Sequence, residues 1–315
     1  MLRGVNRGDY IRNPQSTIRR SQSAVRNPAL LTGRRSDEVA GSLVLIGGGC
    51  TADGDALATF VRMCGGDEGA RIVGLTTASA DPVGSAVSWK NDLAVAGASN
   101  VEFPIVDRRD RAQRQDVADM IRDAPGIFLG GGDQVQLVAT ISGSRVGEAI
   151  RDAHRAGSIV CGTSAGAAAL TEMILAGGEP DDDGAMIDMH IGPGLGLLGF
   201  QAMIDTHFAQ RRRLQRLFAA VAANPAYMGL GLDEDTGLVV HGHLGAVVGK
   251  GGVTFVDGRG VRFDNADAVR LGAQLTLSYL RVGIVGNGYV FNLRERELET
   301  LVRSKRTPES TPTVR

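Results

Sequence analysis

The fold is indicated by the stretch Ser158-Ile159-Val160-Cys161-Gly162-Thr163-Ser164-Ala165-Gly166-Ala167-Ala168-Ala169-Leu170. Its first part is a short apolar run that predicts a buried strand. Its alanine-rich last part favours a helix. Between the two, Gly162 and Gly166 flank Ser164 in the pattern G-x-S-x-G, which turns the chain sharply and exposes the serine oxygen at the carboxyl edge of a sheet. The sequence therefore predicts a nucleophile at Ser164, with a simple packing turn as the alternative.

Further apolar runs alternate with helical stretches upstream of this turn, and such alternation predicts a parallel sheet with helices on both faces. These runs occupy residues 42–46, 71–77, 126–129 and 158–161. After about residue 227 the apolar runs are closely spaced and separated by Gly and Asp, which indicates hairpins. We expect a three-layer α/β/α sandwich with a mostly parallel sheet and an antiparallel C-terminal extension of that sheet.

Composition limits the domain organisation and the partners. The chain has 315 residues, is 43% hydrophobic and has a formal net charge of -1. One α/β domain is expected over residues 41–295, after a disordered, arginine-rich tail at 1–40 and before a flexible tail at 296–315. The balanced charge gives no general attraction to nucleic acid or to anionic membranes.

The cysteines and the hydropathy point to a compartment. Cys50, Cys64 and Cys161 form no C-x-x-C pair, so neither a disulfide framework nor a zinc site is predicted. No apolar run approaches the roughly 20 residues of a membrane-spanning helix. We expect a cytoplasmic protein without a nucleic-acid or membrane partner.

A serine nucleophile needs a base, and His207 is the best of the five histidines. It follows the apolar run 202–204 and lies beside Asp205, so we expect it at the end of a strand. An acidic residue should orient the imidazole. The pattern does not choose among the acids that lie between Ser164 and His207, which are Glu172, Glu179, Asp181, Asp182, Asp183 and Asp188.

Two glycine-rich turns and one acidic turn are further candidates for binding sites. Glycines at 130–132 let backbone N–H groups approach a ligand, so the N–H groups of Gly132 or Asp133, together with that of Ala165, are candidates for an oxyanion hole. The glycines at 47–49 approximate a nucleotide-binding turn, but the acid expected at the end of the second strand is missing. The adjacent acids at 233–235 have no histidine beside them and are interpreted as structural rather than as a metal site.

An arginine cluster follows His207. Arg211, Arg213 and Arg216 are interpreted either as a solvated basic face of a helix or as groups that capture a substrate carboxylate, for which guanidinium groups are suited.

Four of these segments, taken together and in order, resemble the cyanophycinases of the peptidase E-like serine peptidases. The segments are 162–167, 131–134, 205–216 and 231–236, and the agreement in spacing extends from about residue 43 to residue 293. The resemblance implies a fold like that of the class I glutamine amidotransferases, with serine in place of their cysteine. It also implies a homodimeric exopeptidase, without metal or cofactor, that releases β-Asp-Arg from cyanophycin, a polymer of arginyl-aspartate units.

Carried over by position, the resemblance makes Ser164 the nucleophile, His207 the base and Glu179 the triad acid, with 181–183 left open as alternatives to Glu179. The substrate pocket implied in the same way comprises Gln134, Asp205, Thr206, Arg211, Arg213 and Arg216. Thr206 departs from the usual glutamine of the family and lacks its amide contacts, so other aspartyl or isoaspartyl peptides are alternative substrates. Two further alternatives are an α/β-hydrolase-type esterase and a non-catalytic ligand-binding relative.

Overall fold

The structure is a computed structural model that describes residues 41–178, 189–266 and 273–299. The strands of the first half are β1 (Leu43–Ile46), β2 (Ile72–Leu75), β3 (Val101–Glu102), β4 (Gly126–Leu129), β5 (Ile159–Thr163), β6 (Met173–Ala176), β7 (His190–Pro193) and β8 (Ala202–Thr206). Those of the second half are β9 (Met228–Leu232), β10 (Thr236–His241), β11 (Leu244–Gly249), β12 (Gly252–Asp257), β13 (Phe263–Asp264), β14 (Leu277–Ser278), β15 (Arg281–Gly286), β16 (Val290–Asn292) and β17 (Glu297–Leu298). The α-helices are α1 (Asp55–Met63), α2 (Pro82–Val95), α3 (Gln115–Arg122), α4 (Gln134–Ile141), α5 (Arg145–Arg155), α6 (Ala165–Ala169) and α7 (Leu214–Ala223).

A large sheet forms the centre of the molecule, with nine strands in the order β17-β16-β11-β10-β1-β5-β4-β2-β3. Strands β1 to β5 are mutually parallel, and β10, β11, β16 and β17 extend the sheet in antiparallel fashion from β1. The predicted sheet is confirmed, including its antiparallel extension through β10 and β11.

Side chains of the central strand β1 alternate between the two faces of this sheet. Leu43 and Leu45 join one buried cluster with helices α3, α4 and α5, whereas Val44 and Ile46 join a second cluster with α1 and α2. Because apolar side chains leave both faces, both faces have to be covered by helices. The expected three-layer arrangement follows.

A second sheet corrects one part of the sequence prediction. Strand β9 was expected in the antiparallel extension, but it lies in a separate four-stranded sheet in the order β15-β12-β9-β8. There β9 pairs in parallel with β8, and α7 connects the two strands. The segment from β8 to β9 is therefore itself a β-α-β unit, whose parallel pairing keeps β9 out of the large sheet.

The ends of the described chain also bear on the expected boundaries. The basic segment 1–40 lies outside the described residues, as do residues 300–315. Beyond the boundary expected at residue 295, β17 pairs with β16 and the side chain of Arg296 bonds to Asp257. None of the helices in the described ranges has the length and hydropathy needed to span a bilayer.

Candidate active site

The turn between β5 and α6 has the sharp geometry predicted for a nucleophile. Ser164 has a φ of 51° and a ψ of -119°, a region that side chains rarely adopt. Its N–H donates to the carbonyl of Ile46 at 2.9 Å, which ties the turn to the end of β1. A Cβ at Gly162 or at Gly166 would overlap backbone atoms, at Gly166 the carbonyl of Leu129. The two flanking glycines are therefore required by close backbone packing.

His207 lies within hydrogen-bond distance of this serine. It follows β8, as predicted, and its Nε2 is 2.8 Å from Ser164 Oγ. Its side chain is only 12% exposed, and its backbone has a φ of 50°. The His207 N–H donates to the carbonyl of Gly47 at 2.7 Å, so the loop after β1 fixes the strained backbone. Serine and base are thus brought together from different sheets.

The carboxylate that contacts His207 is that of Glu234. Glu234 Oε1 is 2.7 Å from His207 Nδ1, on the side of the ring opposite to Ser164. Strands β8 and β9 are parallel with Thr206 opposite Leu232, so the segments that follow both strands leave the same edge side by side. The earlier interpretation of Glu234 as merely structural is wrong. Glu179 and the residues 181–183 lie outside the described residues.

The two acids that flank Glu234 have structural contacts. The Asp233 carboxylate accepts the N–H groups of Ala209, at 3.1 Å, and of Gly252, at 3.0 Å. Asp235 accepts the Thr51 N–H and hydroxyl and pairs with Lys250 at 2.6 Å. Burial acts to raise the pKa of Asp235, but these bonds outweigh it and lower the pKa. The three adjacent acids therefore divide into one that faces the histidine and two that fasten the turn.

One predicted oxyanion donor, the Asp133 N–H, has another partner in the structure. The Asp133 N–H donates to the carbonyl of Ala78 at 2.8 Å, and its carboxylate caps α4 by accepting the N–H groups of Val135 and Gln136. Gly132 lines the pocket beside Ser164, and its N–H donates to none of the residues that the structure describes. Ala165 begins α6, so its N–H has no partner within that helix. Gly132 and Ala165 remain the candidates for the oxyanion hole.

A pocket of about 330 Å³ opens beside Ser164 and His207. All six residues predicted to bind substrate line it, namely Gln134, Asp205, Thr206, Arg211, Arg213 and Arg216. Arg216 contacts Asp205 through both Nε and Nη2, with Nε at 2.8 Å from Oδ2. Arg213 lies 3.4 Å from the same carboxylate and donates to the Thr206 carbonyl at 2.9 Å. Asp205, Arg213 and Arg216 are all buried, so they form the floor of the pocket rather than a solvated helix face.

The other residues that line the pocket differ in their hydrogen bonds and in their exposure. The Gln134 amide donates to the carbonyl of Leu175, which ties α4 to β6. Arg211 is exposed, and its guanidinium makes no hydrogen bond or ion pair with any residue inside the described ranges. Thr206 is 5% exposed. Arg211 is therefore the exposed one of the three arginines that line the pocket.

Cys50 lies against the residue that precedes Ser164. Cys50 Sγ lies 3.2 Å from the Thr163 hydroxyl. Burial raises the pKa of the Cys50 thiol to about 11, so it carries no nucleophilic thiolate. Within the described ranges no three His, Cys, Asp or Glu side chains group as metal ligands.

Comparison with known proteins places this site in a family. The model of Peptidase family S51 matches residues 43–248. The cyanophycinase of Trichormus variabilis is 33% identical over 282 residues, which cover 88% of this chain and 89% of that protein. The cyanophycinase of Synechococcus elongatus is 32% identical over 247 residues, which cover 77% of this chain and 76% of that protein.

A solved structure agrees at the level of the fold. A peptidase from an acI-B1 Actinobacterium matches with a TM-score of 0.61 at 19% sequence identity and covers 81% of this chain and 98% of its own. This likeness agrees with the α/β fold that the sequence predicts. The family match spans most of the chain and the relatives align over more than two thirds of it, so this chain belongs to peptidase family S51 and is a serine-type peptidase.

Proposed function

We propose that this peptidase hydrolyses the aspartate backbone of cyanophycin and releases β-Asp-Arg through an acyl-enzyme on Ser164. The observation that carries the proposal is the continuous chain of contacts from Ser164 Oγ to His207 Nε2, at 2.8 Å, and from His207 Nδ1 to Glu234 Oε1, at 2.7 Å. This is the geometry that a serine nucleophile needs for activation by a base which a carboxylate orients.

In the proposed first step His207 takes the Ser164 proton at Nε2 while Ser164 Oγ attacks the scissile carbonyl carbon. The N–H groups of Ala165 and Gly132 donate to the oxygen on which negative charge develops. Glu234 stabilises the imidazolium and keeps the Nδ1 proton on its own side. His207 then gives its proton to the leaving amine, and the same base activates the water that releases the acyl group.

The substrate assignment rests on the pocket and on the relatives. Both relatives are named cyanophycinase. The exposed guanidinium of Arg211, unpartnered among the described residues, suits a carboxylate, and every arginine branch of cyanophycin carries one. The buried Asp205 on the floor of the pocket adds an acceptor near the same space.

Release of β-Asp-Arg from purified cyanophycin, followed by mass spectrometry, tests the proposal. Ser164→Ala should lower kcat by on the order of a thousandfold or more with an unchanged unfolding midpoint. Ser99→Ala, an exposed serine in the loop before β3, is the matched control and should keep wild-type activity. Near-normal turnover by Ser164→Ala would remove the nucleophile from the proposal.

Thr206 favours a second candidate, a peptidase for other aspartyl or isoaspartyl peptides. Its hydroxyl replaces the amide of the glutamine usual in cyanophycinases, and it lines the pocket beside Asp205. Assays on cyanophycin and on isoaspartyl dipeptides, with Thr206→Gln as the test variant, separate the two. If Thr206→Gln gains activity on cyanophycin and loses it on isoaspartyl dipeptides, the wild-type enzyme is a peptidase for isoaspartyl peptides.

The homodimer and the cytoplasmic location remain predictions. Light scattering of the full chain during size exclusion tests the first, because a monomer has a mass near 33.0 kDa. Fractionation of the source cells tests the second.

A further inference from the structure

The glycine loop after β1 packs against both partners of the proposed triad. A Cβ built on Gly48 would overlap Cε1 and Nε2 of the His207 ring and lie 3.1 Å from its Cδ2. A Cβ built on Gly49 would lie 2.8 Å from the carboxylate carbon of Glu234. The loop at 47–49, which approximates a nucleotide-binding turn in sequence, is therefore packed against the His207 imidazole and the Glu234 carboxylate.

The carbonyls of the same loop hold the backbone of both partners. The carbonyl of Gly47 accepts the N–H of His207 at 2.7 Å, and that of Gly48 accepts the N–H of Asp235, the neighbour of Glu234, at 2.9 Å. The loop begins where β1 of the large sheet ends, whereas His207 and Asp235 follow strands of the small sheet. It thus fixes the distance between the serine side and the histidine side of the site.

We propose that Gly48 is a positioning residue that sets the imidazole of His207 against Ser164; this rests on the proposed function. Any side chain at 48 displaces the ring, because the overlap includes Nε2, the atom that contacts Ser164 Oγ. Ordinary van der Waals separation requires a retreat of about 1 Å, and a misplacement of that size costs on the order of a hundredfold in rate. Substrate groups bound by the pocket floor are untouched by this movement.

The experiment compares Gly48→Ala with Gly157→Ala. Both glycines have positive φ, 91° and 108°, so both substitutions carry a backbone penalty, but a Cβ at Gly157 meets no atom within 4 Å. We expect Gly48→Ala to lose on the order of a hundredfold in kcat, with KM changed less than about threefold, and to label with a fluorophosphonate proportionally more slowly. Gly157→Ala should keep wild-type kcat and labelling. A Gly48→Ala enzyme with the kinetics of Gly157→Ala overturns the proposal.

A stability cycle covers the case in which Gly48→Ala folds poorly. In a His207→Ala background the ring is gone, so adding Gly48→Ala should cost no more in unfolding midpoint than Gly157→Ala costs in the same background. An equal, large loss with and without the ring overturns the proposal, because the methyl would then clash elsewhere. The proposed function fails separately, if wild-type protein neither labels nor releases β-Asp-Arg, and the stability cycle still reports on the contact.

Discussion

Replacing Glu234 by Gln removes one negative charge from the histidine while keeping the size of the side chain. When His207 takes the serine proton, the imidazolium and the carboxylate form an ion pair whose charge centres lie about 4 Å apart. Their attraction is about 4 kcal/mol at the effective dielectric of a protein surface and about 1 kcal/mol in water. The Glu234 side chain is 40% exposed, so we take about 2 to 3 kcal/mol. Because a tenfold rate change corresponds to about 1.4 kcal/mol, kcat should fall roughly 30- to 150-fold.

The assay is steady-state release of product by the full chain, with kcat and KM measured separately. KM should change little, because Glu234 lies behind the imidazole and does not line the pocket. Glu148→Gln, an exposed glutamate on α5, is the control for the substitution itself and should behave as wild type. If Glu234→Gln keeps more than a third of wild-type kcat, the reasoning is refuted. Loss of activity in Glu179→Gln would then return that residue to the triad.

Three further predictions concern carboxylates with assigned contacts. Burial acts to raise the pKa of Asp257, but bonds from arginines lower it to about 2. Its stabilisation is therefore full above about pH 5 and is lost as the pH falls from about 4 through 2, by about 1 kcal/mol after allowing for solvent screening; urea unfolding of Asp257→Asn should lack this component. Asp133→Ala should cost about 1 kcal/mol, because its carboxylate caps α4 by accepting the N–H groups of Val135 and Gln136, and an unchanged urea midpoint would contradict this. Asp205→Ala should lower the free energy of unfolding by about 3 kcal/mol, since two buried guanidinium groups share that carboxylate, and an unchanged urea midpoint would contradict this.

Much of the large sheet was predictable because its strands can be recognised from short apolar runs in the sequence. The runs at 43–46 and 126–129 are apolar on both faces, and helices between them force parallel crossovers. Strand β9 was placed in the wrong sheet because its buried pattern is equally suited to either sheet. The pairing partner of β9 depends on how α7 returns the chain beside β8. This long-range packing cannot be read from the periodicity of the sequence.

The site was predictable to the extent that its residues sit at strand ends. Ser164 and His207 each follow a recognisable strand, and the structure brings these two predicted residues into contact. The contact of Glu234 with His207 was not predicted, because the acid was sought between Ser164 and His207 in the chain. A usable signal was present, since Glu234 follows a strand just as His207 does and lies in one of the four segments that carried the resemblance. The contact of Asp133 with Ala78 had no signal, because it depends on how two loops meet.

Ser164 follows a strand of the nine-stranded sheet, whereas His207 and Glu234 follow strands of the four-stranded one. We therefore expect the catalytic rate to depend strongly on how these two sheets pack against each other. Proton transfer fails once the 2.8 Å contact between Ser164 Oγ and His207 Nε2 becomes longer by about 1 Å. Mild heating or a low urea concentration should abolish peptidase activity while circular dichroism still shows the native secondary structure. Inactivation of this protein is thus expected to precede its melting.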